Sequence, residues 1–318
     1  MRIVFMGTPE FALPSLEALL LAGHDVVGVF CQPDKPKGRG KKLLPCPVKE
    51  YALEKGIPVF QPQKIRVDGL ETLKALQPDL CVTAAFGQIL SQENLDVPKF
   101  GTVNVHSSLL PKYRGSAPIN WAIICGESVT GVTTMMTDKG MDSGDILLQE
   151  RYEINADESA AGLTIALSHV GAKLLIKTLD LLEKGTCPRT PQEHAQMTYQ
   201  PMLKKQMGQM DFSLSGNSVV NLVRGVNPWP GAYTYLGGEV LKVWRAKVIP
   251  VPEGMEEKVP YDILVANRKE GIIVKAGKDA VLLQEIQLPG KKRMDACAYL
   301  TGHEIKETRL EWREEKNG

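Results

Sequence analysis

The chain has 318 residues, 43% of them apolar and 24% charged, with a formal net charge of +1. At about 150 residues per domain, that length suits two domains, each able to close its own core, and the composition excludes a disordered or fibrous chain. No apolar run approaches the roughly 20 residues a membrane helix needs, and the opening MRIVFMGTPE does not read as an export leader, so a cytoplasmic protein is expected.

Cys31, Cys46, Cys81, Cys125, Cys187 and Cys297 form no C-x-x-C pair, so neither a zinc site nor a disulfide framework is expected. Charge is balanced along the chain, with 22 basic and 22 acidic residues through 207, then 16 and 15, so bulk charge does not point to nucleic acid. Local charge does. Asp34–Lys42 (DKPKGRGKK) sets five cations against one anion, with Pro36, Gly38 and Gly40 among them: either a solvated loop or a contact to the phosphates of a polyanion. Smaller basic clusters at Lys112 with Arg114, Lys204 with Lys205, and Lys291 to Arg293 read singly as solvent-facing.

In chain order, short apolar runs alternate with helical patterns over the first 180 or so residues, the pattern of βα units and a mainly parallel sheet. Strands are expected at Arg2 to Met6, Asp25 to Phe30, Leu80 to Ala84, Gly101 to His106 and Gly131 to Thr137. Leu13, Leu16 and Leu20 share one helical face that Gly23 would end, and Leu163, Leu167, Val170, Leu174 and Leu181 predict a longer helix from about Ser159 to Glu183. His169 lies beside that stripe and reads as a packing or surface residue. The proline-bearing stretch that follows has no sustained period and reads as a surface linker. Beyond it, one helix near Leu214 to Gly225 precedes strands at Ala232 to Tyr235, Val240 to Val248, Ile272 to Ala276 and Ala280 to Ile286, which a small β-barrel would close. The expected division is a Rossmann-like α/β domain over 1–184 with helices on both faces of its sheet, a linker over 185–207, and an OB-like barrel over 208–318.

Several familiar site motifs are missing. GTPEF after the first strand lacks the spacing of a dinucleotide or P-loop fingerprint, and no G-x-S-x-G elbow supports a serine nucleophile at Ser107 or Ser108. The informative segment is Gly101 to Ile123. Alternation along a strand puts Asn104 and His106 on one side and Val103 and Val105 on the other, with the polar pair toward the carboxyl end, where open α/β sheets bind ligands. A carboxylate is available from Asp142 or Asp145 in MDSGD, and spacing does not choose between them. An amide, an imidazolium and a carboxylate together suit attack by an amine on a carbonyl: two groups stabilise an oxyanion and the third keeps the ring charged and oriented. No metal is needed.

Several segments together resemble the methionyl-tRNA formyltransferase family: FMGTPEFALPSLEAL, QPDKPKGRGKKLLPCPVK, NVHSSLLPKYRGSAPINWAI, GMDSGD, NPWPGAY and LKVWRA. The Asn-x-His, SLLP and D-x-G-D elements alone would indicate only the wider folate-dependent formyltransferase group. The resemblance implies formyl transfer from 10-formyltetrahydrofolate to initiator methionyl-tRNA, without a covalent enzyme intermediate. Asn104, His106 and Asp142 match its catalytic trio. Ser107 with Ser108, Leu109, Leu110 and Pro111, the loop Phe86, Gly87, Gln88, Ile89 and Leu90, and Asp138 with Gly140 are implied to line the folate pocket, largely through backbone groups. The basic loop is implied to enter the tRNA acceptor end through Lys35, Lys37, Arg39, Lys41 and Lys42, with Arg39 foremost. Lys204, Lys205, Lys291, Lys292 and Arg293 extend that track. A monomer suffices. The rival readings are a folate-dependent hydrolase or formyltransferase with a small-molecule acceptor, and a non-catalytic RNA-binding protein.

Overall fold

The structure is a computed structural model, and it describes residues 1–37 and 42–314. Two compact units are present: Met1–Pro118, Val129–Glu153 and Thr164–Gln200 make one, and Ile119–Ser128, Ile154–Leu163 and Pro201–Gly318 the other. The short segments of the second unit are held by hydrogen bonds: Asn120 Nδ2 donates to the Gly225 carbonyl at 2.7 Å, Trp121 Nε1 to Pro201 at 2.9 Å, and Arg224 Nη1 to Glu158 at 2.9 Å.

Chain order in the first unit runs β1 (Arg2–Gly7), α1 (Leu13–Leu21), β2 (Asp25–Phe30), β3 (Lys35–Lys37), β4 (Lys42–Leu44), α2 (Pro47–Glu54), β5 (Val59–Phe60), α3 (Leu70–Leu76), β6 (Leu80–Ala84), α4 (Gln92–Leu95), β7 (Thr102–His106) and β8 (Arg114–Gly115). After α5 (Pro118–Ile124) come β9 (Val129–Met136), β10 (Ile146–Glu153), α6 (Ala160–Glu183) and β11 (Tyr199–Gln200). Its seven-stranded sheet has the order β10-β9-β7-β6-β1-β2-β5. Strands β7, β6, β1, β2 and β5 are parallel, and the near-continuous apolar runs of β1, β2 and β6 are largely buried, as sheets covered on both faces require. Helix α6 comes close to the sheet at Gly171, where a Cβ would stand 2.8 Å from Val105 Cγ1.

The expected mainly parallel sheet is present, with one correction of direction. The Gly131 to Thr137 run, read with the βα units, lies in β9, which is antiparallel to β7, and the unforeseen β10 pairs antiparallel outside it. Side-chain periodicity carries no strand direction. Helices α2, α3 and α5 were also not expected, because seven or eight residues complete too few turns for a 3.6-residue period to show.

The second unit carries α7 (Gly216–Gly225), β12 (Ala232–Leu236), β13 (Glu239–Ile249), β14 (Ile263–Asn267), β15 (Gly271–Ala276), β16 (Asp279–Gln287), β17 (Met294–Asp295) and α8 (Ala296–Gly302). Its antiparallel sheet runs β12-β13-β16-β15-β14, with β17 paired to β16. Val219 and Val223 of α7 pack with Phe212, Val243, Val281 and Ile286 in one core. The two edge strands are bridged by the segment around residues 308–311: Glu311 N bonds Tyr235 O of β12 at 2.9 Å, and Ile263 N of β14 bonds Thr308 O at 2.9 Å. That segment satisfies backbone groups that open edges would leave to aggregation. Strand β14 and helix α8 were not among the expected elements.

Candidate active site

Asn104 and His106 both arise from β7, two residues apart and therefore on one face. Parallel pairing with β6 sets Thr83 beside Asn104, and the Thr83 hydroxyl donates to Asn104 Oδ1 at 2.9 Å. With its oxygen so engaged, the Asn104 amide nitrogen is the free end, without a partner among the described residues.

His106 is 7% exposed. Its Nε2 lies 3.0 Å from the Tyr113 carbonyl, and because a carbonyl only accepts, Nε2 carries a proton. Nδ1 faces Asp142 Oδ1 at 3.7 Å, beyond hydrogen-bond reach but within ion-pair distance of a protonated ring. Asp142 Oδ2 accepts from Gly115 N at 2.9 Å. Asp145 makes no ion pair with the ring, so the tertiary structure brings Asp142 of the two to the imidazole. Tyr113 and Asp142 both have left-handed backbones, with φ of 59° and 49°. Such positions cost about 1–3 kcal/mol and persist where the surroundings over-determine them.

The loop carrying Asp142 is folded on itself. Asp138 Oδ1 accepts from Gly140 N at 3.0 Å and from Ser143 Oγ at 2.8 Å, so this carboxylate shapes the turn. At Gly144 a Cβ would fall 1.9 Å from the Met136 carbonyl, and only glycine fits.

The stretch from Ser107 to Pro111 is pinned from β9 and β10. Ser108 Oγ donates to Lys112 O at 2.7 Å, Thr133 Oγ1 donates to Ser108 O at 2.7 Å and accepts from Leu110 N at 3.1 Å, and Gln149 Nε2 reaches Leu110 O at 2.8 Å. Leu110 is buried, whereas Ser107, Leu109 and Pro111 are half-buried. In the other expected loop, Phe86 joins the core with Val4 and Met6. Gln88 spends its amide on Ile65 N and Pro62 O, at 2.7 and 2.9 Å, and Gly87 O accepts from Gln32 at 2.8 Å. Ile89 is 68% exposed. Among the described residues no group of three or more His, Cys, Asp or Glu side chains could hold a metal ion.

The cationic positions divide. Lys35, Lys204, Lys205, Lys291 and Lys292 are exposed. Lys37 and Lys42 pair across the hairpin of β3 and β4, and Arg39 and Lys41 lie outside the described residues. Arg293 is also exposed, but it clamps Glu285 through Nη2 at 2.6 Å and through Nε, and this holds the Glu285 carboxyl below its usual range. Arg114 needs correction: expected to face solvent, it is 4% exposed. Its Nη2 and Nε donate to Gln192 Oε1 at 2.6 and 3.0 Å, which offsets burial of the guanidinium. Sequence reasoning missed Thr83, Tyr113, Thr133, Gln149 and Gln192. Only Thr83, a lone hydroxyl in the apolar run LCVTA, left a legible signal.

Family models described as formyl transferase and formyl transferase C-terminal domain match residues 1–179 and 202–304. Curated methionyl-tRNA formyltransferases from Acetivibrio thermocellus and Clostridioides difficile are 51% and 47% identical, each over 96% of this chain and 98% of their own. A solved sugar 3-N-formyltransferase, determined in the presence of dTDP and 5-N-formyl-tetrahydrofolate, matches in fold with a TM-score of 0.66 at 18% identity, over 92% of this chain and 99% of that one. A likeness that faint in sequence speaks for the fold alone. Among the described residues no helix is long and apolar enough to cross a membrane. With family models on both parts of the chain and curated relatives about half identical along nearly all of it, the chain belongs to the methionyl-tRNA formyltransferase family.

Proposed function

We propose that this chain transfers the formyl group of 10-formyltetrahydrofolate to the α-amine of methionine on initiator tRNA. The observation that carries the reading is the imidazole of His106, set between the Tyr113 carbonyl and the Asp142 carboxylate on the same strand face as a free Asn104 amide.

In this reading the neutral α-amine attacks the formyl carbon, and a tetrahedral oxyanion forms. Asn104 Nδ2, turned outward because Thr83 occupies its oxygen, donates to that oxyanion. His106 contributes positive charge. Its Nε2 proton is committed to Tyr113, whereas the 3.7 Å gap at Nδ1 leaves that nitrogen room to donate to a reacting oxygen. Asp142 faces the ring and takes up the amine proton through water, and that proton is relayed to N10 as the C–N10 bond breaks and tetrahydrofolate departs. The loop from Phe86 to Leu90 and the pinned Ser108–Pro111 turn hold the folate.

The proposed division assigns catalysis to 1–184 together with the stretch up to Gln200, which packs in the same compact unit and so is not the free linker expected over 185–207, and tRNA contact to the OB-like unit over 208–318 together with the basic hairpin. Six free cysteines accord with a reducing cytoplasm. The protein is taken to act as a monomer, and sedimentation at working concentration checks this. The decisive assay incubates it with 10-formyltetrahydrofolate and methionyl-initiator tRNA, beside methionyl-elongator tRNA and an amino sugar nucleotide. Formyl-methionine on the initiator tRNA is expected. Formylation of the sugar alone, or formate release without transfer, would reject the reading.

A further inference from the structure

The stretch after α6 looks like a tether in sequence, but in the structure it is a strap bonded along the catalytic loops. Thr190 and Ile146 exchange two backbone hydrogen bonds of 2.9 Å, just beyond the Asp142 loop. Further along, Arg114 N donates to Thr198 O at 2.9 Å, Ser116 N to Gln200 O at 3.2 Å, and Tyr113 N to Thr198 Oγ1 at 2.8 Å. One strap therefore braces both the residue that accepts from His106 Nε2 and the loop that presents Asp142 to Nδ1.

Between these anchors Gln192, 6% exposed, uses its whole amide. Its Nε2 donates to Asp142 O at 2.9 Å and to Gly144 O at 2.8 Å, while its Oε1 accepts both bonds from Arg114. Arg114 is followed by Gly115, whose N–H holds the Asp142 carboxylate. A closed circuit results: the Asp142 backbone, the Gln192 amide, the Arg114 guanidinium, the Gly115 N–H and the Asp142 carboxylate. Asp142 sits in left-handed backbone, so something must hold it there, and these are the bonds that do. Arg114 is buried with neutral partners only: Gln192, and through Nη1 the ring of His194 and the sulfur of Met197. No carboxylate pairs with it among the described residues, so the Gln192 amide is what its orientation depends on.

We propose that Gln192 is a positioning residue for the reaction, holding Asp142 at its working distance from His106 without touching substrate. This rests on the reading of Asp142 as the partner of His106.

Gln192→Glu tests it. The substitution keeps the size and strengthens the bond to Arg114, but sets an oxygen against two carbonyls. Gln192→Met removes both ends of the amide without adding charge. Turnover is measured per folate-binding site, counted with 5-formyltetrahydrofolate, alongside the thermal midpoint. In both variants kcat per site is expected to fall roughly 10- to 100-fold, the loss that about 1 Å of misplacement brings. KM for 10-formyltetrahydrofolate should stay within about twofold, and the pH profile of kcat should shift. Gln192→Glu combined with Asp142→Asn should be no slower than Asp142→Asn alone, because both act through one carboxylate. Wild-type kcat per site in either variant, or losses that multiply in the double variant, would overturn the proposal. If Asp142→Asn itself keeps full turnover, the reading of the site fails instead, so the two failures are distinguishable.

Discussion

The carbonyl of Tyr113 and the carboxylate of Asp142 stand at opposite nitrogens of one imidazole, 3.0 Å from Nε2 and 3.7 Å from Nδ1 of His106. Each comes from a loop outside β7, and each sits in left-handed backbone. The ring is thus oriented at one end by a hydrogen bond and faced at the other by a carboxylate, an arrangement that serves an electrostatic role better than a nucleophilic one.

If Asn104, His106 and Asp142 share one transition state, Asn104→Ala, His106→Ala and Asp142→Ala should each lower kcat by about 10²- to 10³-fold with little change in thermal midpoint. Single-turnover formyl transfer measures this. Near-normal turnover in any of the three removes that residue from the scheme.

Thr83 holds the Asn104 amide by its oxygen. Thr83→Val deletes that bond at nearly constant volume and should slow kcat by roughly fivefold, in line with a hydrogen bond worth about 1 kcal/mol. Thr83→Ser should restore most of the rate. An unchanged kcat in the valine variant would show that the amide orients without the hydroxyl.

Lys204, Lys205, Lys291 and Lys292 are exposed, and electrostatic binding to tRNA should weaken steeply as salt rises. Alanine at any one of these that meets a phosphate should reduce the slope of log affinity against log salt by about one unit. Filter binding from low to high salt reads the slope. A slope near zero in the unsubstituted protein would deny the electrostatic footprint altogether.

Cys46 opens α2, where hydrogen bonds from the Cys31 thiol and from the backbone N–H groups of Lys49 and Val48 push its thiol down to about 6. The same contact, with burial, pushes the Cys31 thiol up. Cys46 should therefore be alkylated well ahead of its buried neighbour Cys31, and at lower pH than an ordinary thiol. Peptide mapping after brief iodoacetamide treatment checks the order, and Cys31→Ser should alter the pH midpoint of that alkylation.

Hydrogen bonds from Lys49 Nζ at 2.6 Å and Gln61 Nε2 at 2.8 Å hold the Asp34 carboxyl below its usual range. A depressed carboxyl stabilises the fold above its unfolded-state pKa, and that contribution fades as pH falls through the folded-state value. Asp34→Asn should accordingly lower the thermal midpoint at pH 7 more than at pH 3. An equal drop at both would assign the effect to packing.

Local pattern was enough for the parallel core. Ile3 to Met6, Leu80 to Ala84 and the Leu163-to-Leu174 stripe show their burial as hydrophobicity, and the placing of Asn104 beside His106 follows from the twofold period of a strand, which any six residues display. The choice between Asp142 and Asp145 did not follow from spacing, because both lie in the same glycine-bearing loop and only the folded path of that loop turns one of them to the ring. The direction of β9, the burial of Arg114 and the bracing by Gln192 were equally illegible. Each depends on residues brought together across dozens of positions by hydrogen bonds. A one-dimensional period records which side chains avoid water, but not which distant polar group will meet which.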